Sequence, residues 1–195
     1  MVSKPRRMRA ASGPPLDAGR AQALAETLHR GQRDAGGAPL IDHVRRVAAA
    51  VPREARLVAW LHELLEHTAI SEEALLMEGL PTEELRALRL LTRHQDSRSS
   101  TTYLAHIELL AQARGPGAGV AQSVKRADLI DRARHPAIRP DGWSPPYELG
   151  LEALELAALQ PSRHASLLGT WPARTVGRVD TATPSHGPTA ERGRS

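Results

Sequence analysis

Apolar residues recur along this chain every three to four positions, and the breaks between runs fall on glycine and proline. From Asp17, a candidate N-cap, one helical stripe is marked by Ala21, Leu24, Ala25 and Leu28. Gly31, Gly36, Gly37 and Pro39 end it. The pattern resumes over about 40–51 and stops before Pro52. A third helix is predicted from about 53 to 68. Ser71-Glu72-Glu73-Ala74 has the make-up of a capped start, and Gly79 closes that helix. Pro81-Thr82-Glu83-Glu84 opens a fifth, with Leu85, Leu88 and Leu91 on its buried side. A polar stretch covers 95–100. Helices are then predicted over about 101–113, 120–134 and 147–159, separated by a glycine turn at 115–119 and a proline-rich segment at 136–146. No alternating run is long enough for a strand. The predicted fold class is an all-α bundle.

Composition agrees with that pattern. The chain has 195 residues, 41% of them apolar, with no Phe and 3% aromatics. A core built from Ala, Leu and Val favours helix over sheet. There is no Cys, so disulfides and thiolate metal sites are excluded. No run approaches the roughly 20 apolar residues of a membrane span. Met1 to Gly13 is basic without the apolar segment of a secretory signal, and a cytoplasmic location is the default expectation. Residues 1–15 read as a disordered basic tail, 16–160 as one domain, and 161–195 as a Pro/Gly/Arg-rich tail in which Leu167, Leu168 and Trp171 could dock. The net charge of +4 comes largely from the two ends. Such runs can bind nucleic acid, but no aromatic residues interleave with these, so solvated tails are the expectation.

Candidate chemistry concentrates in Leu61-His62-Glu63-Leu64-Leu65-Glu66-His67-Thr68. On a continuous helix, with His62 at zero, Glu66 falls at roughly 40°, Glu63 at roughly 100° and His67 at roughly 140°. His62, Glu63 and Glu66 then share an arc. Ala55 and Ala59 on the same arc leave room for a covering helix. The zinc-protease pattern His-Glu-x-x-His is not met, because the second His is five residues on. The segment by itself reads equally as an amphipathic helix with a polar face. Two other positions change the weighing. Asp128 shares an arc with Ala121 and Val124, with Asp131 close by. A carboxylate there is costly unless paired, protonated or bound to metal, and Lys125 could pair with it. His43 shares its side with Leu40 and Val47, where a lone His is more often a satisfied core residue. Two His and two carboxylates from three helices suit Mn²⁺, Fe²⁺ or Mg²⁺ better than a structural zinc.

Gly31-Gln32, Pro39-Leu40-Ile41-Asp42-His43, the Leu61–Thr68 segment, Leu91-Thr92-Arg93 and Val124-Lys125-Arg126-Ala127-Asp128-Leu129 occur in that order. Over roughly 17–160 they resemble the HD-domain metal-dependent phosphohydrolases. The likeness is to the RelA/SpoT-like branch that hydrolyses (p)ppGpp, its small stand-alone bacterial members in particular. The resemblance implies an all-α bundle and a divalent cofactor, most often Mn²⁺. It assigns His43, His62, Glu63 and Asp128 as metal ligands and Glu66 as the residue that directs the attacking water. Glu63 stands where the family has Asp, and His67 replaces the second acid of the water-directing pair. Arg132 replaces an Asn, Asp34-Ala35 a basic pair, and Leu40 a Tyr. On this reading Glu66 takes the water's proton with help from His67, and Arg30, Arg33, Lys125 and Arg132 are candidates for neutralising phosphate charge. The substrate expectation is a nucleotide or related phosphoester, (p)ppGpp among them. The substitutions leave an alternative open: a catalytically degenerate HD-fold module that senses nucleotides or binds a protein.

Overall fold

The computed structural model describes residues 14–93, 99–136 and 145–159. The basic N-terminal run, most of the polar stretch before Ser100, most of the proline-rich segment and the C-terminal tail with Leu167, Leu168 and Trp171 lie outside them.

The elements are α1 (Ala18–Leu28), α2 (Leu40–Ala50), a 3₁₀ turn (Arg53–Ala55), α3 (Arg56–Leu61), α4 (Leu64–His67), α5 (Glu72–Met77), α6 (Thr82–Leu91), α7 (Ser100–Gln112), α8 (Ala118–Arg134) and α9 (Tyr147–Leu159). The protein is an all-α bundle, with no strand among the described residues. Helix starts follow local chemistry. The Asp17 carboxylate accepts from the Arg20 N–H at 2.9 Å, and the Ser71 hydroxyl accepts from the Ala74 N–H at 3.2 Å. The fold begins two residues before the predicted boundary. Pro14 offers its carbonyl to the Arg20 guanidinium at 2.9 Å, and Leu16 is buried.

One predicted element is corrected. The expected helix over 53–68 is a 3₁₀ turn followed by two short helices, interrupted at His62 and Glu63. No Gly or Pro marks that interruption. Glu63 has φ −93° and ψ −10°, in the bridge region where active-site residues often sit.

Helix α8 is the axis of the bundle, packing against α2, α3, α6, α7 and α9. The main core gathers Val44 and Val47 of α2, Val58 and Leu61 of α3, Leu64, Leu88 of α6, and Val124 of α8. Truncating a fully buried leucine such as Leu61 or Leu88 to Ala is expected to cost ~2–5 kcal/mol. A second cluster of Tyr103, Ile107, Leu129 and Leu154 joins α7, α8 and α9. Gly117, at the N-cap of α8, has φ 81°, and a Cβ there would lie 2.7 Å from the Glu83 carbonyl oxygen of α6. Only glycine allows both that conformation and that approach. The seating of α8 on α6 therefore fixes where Lys125, Asp128 and Asp131, all buried on α8, meet the other helices.

Candidate metal centre

His43 on α2 and Asp128 on α8 lie among apolar neighbours, as their helical spacing predicts, and both are buried. His62 and Glu63 reach the same point from the interruption between α3 and α4. The four side chains are 2–6% exposed. One ligand-type atom from each lies within 4.8 Å of all the others. Ligands at ~2.0–2.2 Å from a shared ion stand no more than about twice that distance apart, and the 3.2–3.5 Å contacts of His43 Nε2 and His62 Nε2 with the carboxylate oxygens fall inside that limit.

The ring nitrogens show how the site is aimed. His62 Nδ1 lies 2.7 Å from the Ala59 carbonyl, an acceptor, so Nδ1 donates and Nε2 carries the lone pair. His43 Nδ1 lies 2.7 Å from Asp131 Oδ2 and is held in the same way. Both Nε2 atoms are buried without a hydrogen-bond partner. Each faces carboxylate oxygens. His62 Nε2 is 3.2 Å from Glu63 Oε1, and His43 Nε2 is 3.5 Å from that oxygen and 3.3 Å from Asp128 Oδ1. Buried polar atoms are normally satisfied, so two unpartnered nitrogens converging on two carboxylates have the chemistry of a cation-binding donor set. The outward nitrogen of each ring bonded to a carbonyl or carboxylate is the arrangement that orients metal-ligating histidines. The site can hold a metal ion, and its donor set is two imidazoles and two carboxylates.

The surrounding charges hold these groups in place. Burial pushes the Glu63 carboxyl up, but Arg132 and the three histidines His43, His62 and His67 hold it well below its usual range. Burial likewise opposes ionisation of Asp128, and Lys125 and Arg132 more than offset it. The Lys125 ammonium is 2.8 Å from Asp128 Oδ2, the pairing that its spacing suggests. His43 is pushed down by burial and by Arg132. Asp128, Asp131 and Glu63 outweigh both and raise it to about 10.

The predicted water-directing pair divides. Glu66 accepts from the Arg93 backbone N–H at 2.6 Å and lies 3.4 Å from its guanidinium. His67 Nε2 sits 2.9 Å from Glu63 Oε2, which raises its pKa, and so His67 supports a ligand-type residue. Its carbonyl accepts from the Gln32 amide at 2.7 Å. Gln32 in turn bonds His29 Nδ1 at 2.7 Å, and His29 is fully buried at the end of α1.

All of these groups except His29 border a cavity of about 740 Å³, within the size range of small-molecule sites. Arg33, Lys125 and Arg132 line it. Arg30 is exposed and does not. Arg33 bonds the Gly37 carbonyl at 2.6 Å. Asp34 caps its own loop, accepting from the Gly36 and Ala38 N–H groups at 2.9 Å each. Three contributors were given no role by the sequence reading, although Tyr103 stands where the resembled family often has a Tyr. Arg46 grips Asp131 with two hydrogen bonds of 2.7 and 2.9 Å, and its position three residues after His43 was the available signal. Arg93 was visible only as part of a motif. Tyr103 lies under Arg93, whose guanidinium carbon is 5.6 Å from the ring centroid. The Tyr103 hydroxyl is buried, which pushes its pKa up.

No protein-family model matches the chain, and no curated protein matches it. Among the described residues, no helix is long and apolar enough to cross a membrane.

Proposed function

We propose that this protein is a divalent-metal-dependent phosphohydrolase of the HD-domain type. Its substrate would be a nucleotide or related phosphoester, with (p)ppGpp one candidate, and its location cytoplasmic. The observation that carries the proposal is the pair of buried, unpartnered Nε2 atoms of His43 and His62 aimed at Glu63 and Asp128. A divalent ion held by those four residues, most suitably Mn²⁺, would polarise a phosphoryl oxygen and make a bound water more acidic. Glu66 is the base that accepts the water's proton, held by the Arg93 N–H with its carboxylate bordering the cavity. His67 keeps the second oxygen of Glu63 engaged and so fixes the orientation of that side chain.

Charge balance supports an anionic substrate. Among the described residues the cavity lining carries five Arg or Lys (Arg33, Arg46, Arg93, Lys125, Arg132) and five Asp or Glu (Asp34, Glu63, Glu66, Asp128, Asp131). These formal charges cancel, so a bound divalent cation tips the lining towards attracting phosphate.

A second reading rests on Arg132, whose guanidinium contacts both Glu63 and Asp128. A fixed guanidinium in that position would serve as a permanent substitute for the metal, leaving a nucleotide-sensing or protein-binding module. One experiment separates the two. Protein purified without chelator is analysed for metal, then offered a nucleotide panel with added Mn²⁺ beside a His62→Ala control. About one transition ion per chain and Mn²⁺-dependent release of phosphate or pyrophosphate, both absent in the control, support the enzyme. No metal and no release would sink it.

A further inference from the structure

The cations around Glu63 and Asp128 are not equivalent, because they hold different oxygens. Lys125 takes Asp128 Oδ2 and His67 takes Glu63 Oε2. The Nε2 atoms of His43 and His62 make their contacts with the other oxygen of each carboxylate. Arg132 alone takes the inward pair. Its Nε donates to Asp128 Oδ1 at 2.6 Å and its Nη2 to Glu63 Oε1. These two oxygens lie 3.2–3.5 Å from the Nε2 atoms of His43 and His62. Lys125 and His67 can therefore stay in place while an ion binds, and Arg132 cannot do so without close repulsion. Arg132 also differs in freedom. Its side chain is 28% exposed and borders the cavity, whereas that of Lys125 is 9% exposed.

Resting on the metal reading above, we propose that Arg132 is a displaceable internal cation that couples metal binding to phosphate binding. In the structure its guanidinium bridges the inward oxygens of Glu63 and Asp128. A divalent ion held by His43, His62, Glu63 and Asp128 would compete for those oxygens and free the guanidinium to face the cavity. There its planar set of donors matches a phosphate group. A phosphate bound to the released guanidinium removes the competitor for the carboxylates, so each ligand raises affinity for the other by the same factor. The protein thus grips metal weakly until an anionic substrate arrives. A guanidinium that stayed on the carboxylates would give the opposite result, indifference to both ligands.

The test is a titration of the full chain, stripped of metal, with Mn²⁺ in the presence and absence of inorganic phosphate, following free Mn²⁺ by electron paramagnetic resonance. In the wild type, phosphate should tighten Mn²⁺ binding about tenfold, within the usual range of coupling between two sites. Arg132→Gln should bind Mn²⁺ more tightly than wild type without phosphate and should not respond to phosphate. Arg132→Lys keeps the charge but cannot span both carboxylates, so it should show tighter Mn²⁺ binding and a reduced response. It carries the test if the glutamine variant does not fold. Folded variants that bind Mn²⁺ no better than wild type, or that respond to phosphate as wild type does, overturn the coupling and leave the metal site standing. Absence of Mn²⁺ binding in all three proteins overturns the coupling and the metal site together.

Discussion

The floor of the cavity buries His43, His62, Glu63 and Asp128 at 2–6% exposure, whereas on its rim the side chains of Glu66, Arg93 and His67 are 16%, 31% and 46% exposed. Each floor residue is fixed from behind as well as in front. His43 is backed by Asp131, His62 by the Ala59 carbonyl, Glu63 by His67, and Asp128 by Lys125. Asp131 is itself clamped by Arg46. The rim groups are tied partly through the backbone, as Glu66 is to the Arg93 N–H and His67 is through its carbonyl to Gln32. The difference teaches where each job belongs. A cluster of buried charges tolerates no slack, because any unpaired member is costly in a low dielectric. Groups that meet a substrate need reach and exchange with solvent.

If that division is right, floor and rim substitutions should break different things. The largest effect is expected for His62→Ala, which removes one inward nitrogen and should abolish both stoichiometric metal and metal-dependent hydrolysis, read by metal analysis of the folded variant. Glu66→Gln comes next. It should leave Mn²⁺ occupancy unchanged and lower turnover roughly 10²- to 10⁴-fold, the usual range for a lost general base. Lost metal in that variant would move Glu66 to the floor. Asp131→Ala removes the acceptor behind His43 and should weaken Mn²⁺ binding roughly 10- to 100-fold in a calorimetric titration, with the fold intact. An unchanged affinity would mean that the backing carbonyls and carboxylates do not orient the ligands.

The smallest effect tests the boundary between the two regions, at His29. This ring is buried yet connects through Gln32 to the His67 carbonyl. Burial lowers its pKa, although the Gln32 hydrogen bond and Glu63 oppose the shift. The unfolded chain then takes up a proton on His29 near its ordinary pKa of ~6.5 while the folded chain does not, so stability should fall as pH drops below that value. Urea unfolding at neutral and mildly acidic pH should show a steeper loss in the wild type than in His29→Asn, because the raised pKa values of His43 and His67 act in the opposite direction in both proteins. Equal pH dependence in the two proteins would show that His29 titrates alike in both states.

Much of the fold was readable because it is local. Periodicity, the caps at Asp17 and Ser71, and the Gly/Pro breaks mark most helices close to where they form. His43 and Asp128 stood out because a polar side chain on an apolar arc needs an explanation, and Lys125 was placed near Asp128 by helical spacing. The interruption at His62 and Glu63 was not readable. Trp60-Leu61-His62-Glu63-Leu64-Leu65 is a plausible continuous helix, and on one His62 and Glu63 would project about 100° apart. Packing on α2 and α8 overrides that preference. His62 Nε2 and Glu63 Oε1 end 3.2 Å apart.

The sequence by itself determined an all-α chain, its helix boundaries to within a few residues, and the set of polar side chains that must find partners inside it. Those follow from propensity, periodicity and the cost of burying charge, all of which act over a few neighbouring residues. Only the tertiary structure decided which oxygen each cation holds, that His67 supports Glu63, that Asp131 backs His43, and that Arg132 lies across the two inward carboxylate oxygens. Those pairings join residues up to 88 positions apart, and their geometry depends on how α8 seats against its neighbours to within an ångström or so.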